Sequence, residues 1–219
     1  MSDFSRHCNE TSRDQTVLRR PKAIGHEAWQ FSEPLRLMVG VVAMVAPFLH
    51  SITDVMEWSQ QGFSSGQLWL NYVAFVPMSW LLLGIYAVHG PKPGVAGLVG
   101  ALLYGAAFTY FAHTTLYALD EHISDYEVLW QRLGGIYTAH GALMVCGGLL
   151  FGWSVLRAGW VPGFSVILFL LGLSANLVLS FLPVPDILQT IGSAVRNIGL
   201  MVMGYAVLFK RRDEMIEEG

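Results

Sequence analysis

Charge is what this sequence has least of. Only 13% of its 219 residues are Asp, Glu, Lys or Arg, against about 25% in an ordinary soluble domain. The deficit is uneven: of the 29 charged side chains, 11 fall among the 173 residues from Leu37 to Phe209. Net charge is −3, so there is no basic footprint for nucleic acid. Two cysteines, Cys8 in a polar stretch and Cys146 deep in an apolar one, are badly placed to pair. That excludes a disulfide scaffold and implies no oxidising compartment. The first thirty residues lack an apolar core flanked by a cleavage signal, so no signal peptide is expected. Walker, GxGxxG, CxxC and HExxH motifs are missing, and the GxSxG string at Gly62–Gly66 falls in the polar connection at 59–67 with no strand pattern before it, so there is no nucleophile elbow and the usual sequence routes to a named chemistry are closed. No lysine lies deep in an apolar segment, which argues against a retinal-type Schiff base.

What remains is apolar. Hydrophobic residues make up 53% of the chain and its mean hydropathy is +0.47. Six apolar segments stand out, at roughly Pro34–Trp58, Leu68–Val88, Val95–Leu119, Leu129–Leu156, Phe164–Leu182 and Ile187–Phe209. Each has about the 20 residues a helix needs to cross ~30 Å of hydrocarbon. Helices are required because backbone groups in lipid must bond within their own segment, and no ~10-residue alternating segments of a barrel occur. The expected fold is all-α: a polytopic membrane protein, a bundle of six transmembrane helices over 34–209. A polar tail precedes it at 1–33, with Trp29 and Phe31 at headgroup level, and a charged tail follows at 210–219. Breaker clusters at 89–94, 159–163 and 183–186 make short connections, so successive helices should be antiparallel neighbours.

Basic residues set the orientation. Arg19, Arg20, Lys22 and Arg36, then Lys92, then Arg157, then Lys210, Arg211 and Arg212 all fall on one side if six helices cross. The opposite connections carry Asp54, Glu57, Asp120, Glu121, Asp125, Glu127 and Asp186, with Arg132 their one nearby base. The positive-inside rule then puts both termini in the cytoplasm. The expected location is the plasma (inner) membrane.

Polar residues inside the segments gather in the outer half. His50, Asp54 and Glu57 stand at i, i+4 and i+7, as do His113, Tyr117 and Asp120, and as do Gln189, Ser193 and Arg196. Such spacing puts each trio on one helical face. Asn176 and Asn197 join them in the outer halves of the fifth and sixth segments, and Tyr137 and His140 lie deeper on the fourth. Arg196 weighs most: about nine residues into the last segment it lies ~13 Å deep, where insertion of a charge costs at least ~2.5–3.5 kcal/mol. Asp54, Glu57 and Asp120 are its candidate partners. The fourth segment holds Gly134, Gly135, Gly141, Gly147, Gly148 and Gly152, a pattern for close helix approach.

These placements lead to a functional expectation. A polar pocket open to the outer side binds an amphipathic or anionic small molecule, lipid or isoprenoid-like. Arg196, Asn197, Asn176, Tyr117 and Tyr137 hold the ligand, and His50, Asp54, Glu57, His113, Asp120 and His140 supply acid–base chemistry. Membrane lipids are the expected surroundings, and association into a homo-oligomer or larger complex is open. Three other readings stand beside this one: a haem b or quinone-linked redox subunit with His50 and His113 as axial pair, a structural or assembly subunit, and a small transporter. Metal binding has no tight ligand motif behind it.

Overall fold

The computed structural model describes residues 32–89 and 93–209. The expected headgroup residues Trp29 and Phe31, the basic residues Arg19, Arg20, Lys22, Lys92, Lys210, Arg211 and Arg212, and Cys8 lie outside the described residues, as do the tails at 1–31 and 210–219.

Among the described residues the chain is all helix: α1 Ser32–Gln60, α2 Ser65–His89, α3 Gly94–Asp120, α4 Tyr126–Leu133, α5 Gly135–Ala158, α6 Gly163–Leu179 and α7 Asp186–Phe209. Five of them, α1, α2, α3, α5 and α7, are long and apolar enough to cross a membrane. α6 is apolar but has 17 residues, about 25 Å at 1.5 Å per residue. The outward surface is apolar as well. Val95 is 77% exposed, Trp80 68% and Leu171 58%, and faces of this kind along several helices suit a lipid solvent. The chain is built as a multi-pass membrane protein.

One expected segment is divided. Leu129–Leu156 breaks at Gly134, whose φ of +54° and ψ of −130° suit glycine and no helix. The Gly134 amide closes α4 on the Trp130 carbonyl at 2.7 Å, and its own carbonyl receives the Tyr137 amide at 3.1 Å. α4 is therefore a separate short helix, which buries Leu129 and leaves Trp130 exposed.

The six long helices form a closed ring in the order α1, α2, α3, α5, α6, α7 and back to α1, with the α5–α6 seam the thinnest. Neighbours run antiparallel, as short connections require. Small residues set the spacing. A Cβ on Gly100 of α3 would stand 2.7 Å from the Gly147 carbonyl oxygen and 2.9 Å from Phe151 Cα on α5. A Cβ on Gly172 of α6 would strike the Arg196 amide nitrogen on α7. Of the glycines of the fourth segment, Gly147, Gly148 and Gly152 sit against other helices, whereas Gly134, Gly135 and Gly141 face open space. Tyr104, Phe108, Phe151, Phe169, Met78, Leu200 and Met203 fill the middle of the ring, all fully buried.

Candidate functional site

Polar side chains enter the ring near the Glu57 end of α1, and α7 organises them. Arg196 is only 3% exposed and reaches across the interior to α5, with Nη1 3.7 Å from Met144 Sδ. Its Nε donates to Asn197 Oδ1 at 3.2 Å. The Asn197 amide nitrogen donates to Ser51 Oγ at 3.0 Å, and Ser51 donates on to the Pro47 carbonyl of α1 at 3.0 Å. Asn197 is thus fully buried and committed to holding Arg196 against α1. Arg196 Nη2 has no partner among the described residues.

Facing it are the groups of α1. His50 and Asp54 share a face as the i, i+4 spacing requires, with Nδ1 3.5 Å from Asp54 Oδ1. The imidazole is boxed by Phe75 (ring centroids 4.9 Å apart) and Phe108 (6.3 Å). Beside it, Thr53 Oγ1 lies 2.8 Å from the His50 carbonyl and 3.1 Å from Asn71 Oδ1 of α2. Among the described residues Asp54 Oδ2 has no hydrogen-bond partner, nor has the hydroxyl of fully buried Tyr104. The Arg196 charge acts on His50, Asp54 and Tyr104 alike. Glu57, half-buried one turn nearer the helix end, is coupled to Asp54 and to Asp186 at the start of α7. An acidic and basic string therefore runs from exposed Asp186 through Glu57 and Asp54 to Arg196, and stops at Tyr104.

The mouth is closed by α4 and two loops. The Phe63 amide donates to the Ser124 carbonyl at 2.6 Å, tying the α1–α2 loop to the α3–α4 loop. Asp125 caps α4, accepting from the Val128 amide at 2.9 Å and from Ser124 Oγ at 2.7 Å. Those bonds, the Val128 amide first, hold its carboxyl below the ordinary aspartate range. Tyr126 stacks edge-on against Phe63 with centroids 4.8 Å apart. It is 39% exposed, yet its hydroxyl points inward, where burial first and the Glu57 carboxylate second push its ionisation well above the ordinary tyrosine value. Beneath lies a cavity of about 20 Å³ bordered by Asn71, Phe111, Thr114, Tyr126 and Tyr137, room for about one water.

The expected residues divide. His50, Asp54, Glu57, Arg196 and Asn197 come together, with Tyr137 coupled electrostatically to Glu57 and Asp54. His113 and Asp120 are exposed on the outer side of α3 and do not join them. His140 is buried among the rings of Tyr110, Phe111 and Tyr137, its Nδ1 2.8 Å from the Ile136 carbonyl. Tyr117 belongs to an apolar satellite cluster with Leu68, Ile123 and Leu129. Asn176 is spent on joining α6 to α7: its oxygen accepts from Ser193 Oγ at 2.9 Å and its nitrogen donates to the Gln189 carbonyl at 3.1 Å. A haem between His50 and His113 does not fit these residues, because one imidazole lies inside the ring between two phenyl groups and the other outside it. The acidic loop is ordered by its own bonds: Asp125 caps α4, and exposed Glu121 lies 3.8 Å from Arg132. Sequence reasoning missed Ser51, Thr53, Tyr104, Tyr126 and Met144 as members of the site. Small hydroxyls and a methionine give no signal of their own, although Ser51 and Tyr104 stand at the depths that face Arg196.

No protein-family model, no curated protein and no solved structure matches the chain.

Proposed function

We propose that the chain is a six-span protein of the plasma (inner) membrane with both termini cytoplasmic, and that its His50–Asp54–Glu57–Arg196 cluster receives the polar or anionic head of an amphipathic small molecule, lipid or isoprenoid-like, from the outer side. The sixth span is α6. Its tight approach to α7 at Gly172 and the Asn176–Ser193 contact give it the same place in the ring as the longer helices, and local bilayer thinning absorbs a deficit of a few ångströms.

One observation carries the reading: a buried guanidinium is held in place by Asn197 with one terminal nitrogen left free to donate. A guanidinium held in this way is a ready partner for a phosphate or carboxylate. Arg196, Asp54 and Glu57 together carry one excess negative charge when all are ionised. An anionic head therefore enters with proton uptake by a carboxylate, and binding tightens as pH falls. The 3.5 Å His50–Asp54 approach favours acid–base chemistry on the bound head as the second step. The apolar interior beyond Tyr104 supports a site with one entrance over a transport path. Entry displaces α4, since the cavity beneath it holds no more than a water.

The test uses farnesyl phosphate and farnesol as paired probes on the purified full chain, read by native mass spectrometry. The wild type should retain the phosphate at least about tenfold better than the alcohol, equivalent to ~1.4 kcal/mol, and Arg196→Gln should abolish the preference while keeping its helical circular dichroism. An unchanged preference in a folded Arg196→Gln protein overturns the reading.

A further inference from the structure

The opposite end of the ring holds a second feature unrelated to the cluster above. Where α3 begins and α5 ends, a groove of about 270 Å³ opens between the two helices, lined by Pro93, Ala96, Leu150, Trp153, Ser154 and Arg157. The Arg157 guanidinium lies over the Trp153 ring at 4.8 Å from its centroid. Both residues are exposed, and Arg157 makes no ion pair with any described residue. This cation–π contact uses none of the guanidinium N–H groups as hydrogen-bond donors, and they make no hydrogen bond to any described residue. The Ser154 hydroxyl is already spent on the Leu150 carbonyl at 2.8 Å. The first turn of α3 forms the other wall. Its N-cap, Pro93, makes no side-chain hydrogen bond, and the N-terminal end of a helix carries partial positive charge. Beyond the groove, Val99 and Leu102 on α3 and Leu149 on α5 are exposed along the outer face of the bundle.

We propose that this groove binds the headgroup of an anionic phospholipid. The phosphate takes the in-plane edge of Arg157, the glycerol region lies between Ala96 and Leu150, and the acyl chains run down the exposed apolar faces of α3 and α5. A tryptophan beside an arginine at a helix end is the pairing expected at headgroup depth, and a basic groove between membrane helices is a recurrent phospholipid site. Charge complementarity selects an anionic head over a zwitterionic one.

The full chain is reconstituted in nanodiscs of phosphatidylglycerol and phosphatidylcholine in equal parts and released for native mass spectrometry. The wild type should retain phosphatidylglycerol in preference by about fivefold, the factor that ~1 kcal/mol per basic residue near an anionic surface represents. Arg157→Gln should lose the preference. Ala96→Leu, which fills the groove from an exposed position and alters no charge, should lose it as well. Equal retention of the two lipids by the wild type, or wild-type preference in either variant, overturns the proposal. Removal of the retained lipid by millimolar inorganic phosphate also overturns it, by assigning the groove to a soluble anion. None of these readouts involves Arg196, so the outcome is separable from that of the farnesyl phosphate experiment.

Discussion

Neutralising Arg196 and Asp54 singly and together tests whether the interior charges hold one another in place. Among the described residues no carboxylate oxygen lies within 4 Å of Arg196, so this is a coupling across a gap. At an effective dielectric of about 20, two unit charges 4 Å apart interact by about 4 kcal/mol, and at larger separations the value falls towards ~2 kcal/mol. A double-mutant cycle with Arg196→Met and Asp54→Asn should therefore give a coupling of about 2 kcal/mol. Arg196→Met relieves the cost of inserting a charged arginine but leaves Asp54 and Glu57 facing each other without a cation. Asp54→Asn leaves Arg196 with the more distant Glu57 alone. The double variant removes both penalties and should be more stable than the sum of the single losses implies. The measurement is reversible unfolding in bicelles by steric trapping, which reports free energies without leaving the bilayer. A coupling below about 0.5 kcal/mol, the range in which independent sites add, would refute the argument that Asp54 is the electrostatic partner of Arg196.

Two further outcomes follow from local geometry. Gly100→Ala places a methyl 2.7 Å from the Gly147 carbonyl oxygen; backbone cannot yield as a side chain can, so the α3–α5 pair should lose about 1–3 kcal/mol by the same unfolding assay. Asp125→Ala removes the cap of α4 and should cost about 1 kcal/mol of local stability, seen as faster amide exchange through Val128–Leu133. The sign of its pH dependence is fixed by the bonds Asp125 accepts. Because they favour the ionised carboxylate, its stabilisation is complete above the ordinary aspartate pKa and disappears as pH drops through the lower folded value. Trp130 fluorescence should hold steady from neutral pH into the mildly acidic range and change only below it.

Long apolar runs made the helices legible, since period and length suffice to place a span. The division of the fourth segment was not legible, because it depends on the backbone angle of Gly134, and a glycine among six in one stretch carries no mark of the one that turns. The i, i+4, i+7 rule identified the α1 face carrying His50, Asp54 and Glu57. The same rule applied to His113, Tyr117 and Asp120 named a face that misses the cluster, with His113 and Asp120 exposed and Tyr117 packed on the apolar satellite, because spacing fixes which residues share a side and says nothing of which way that side turns. Arg196 was visible through the cost of its burial. Its restraint by Asn197, Ser51 and Pro47 required the register of α7 against α1, a long-range property that small close-packed residues set.

The packed aromatic and aliphatic plug beyond Tyr104 has an electrical consequence. With Phe108, Phe169, Leu200 and Met203 sealing the ring, protons or ions drawn in from the Glu57 end meet insulation before they reach the other face. On the proposed reading, the interior groups therefore titrate and recharge from one side only, without dissipating the voltage across the bilayer.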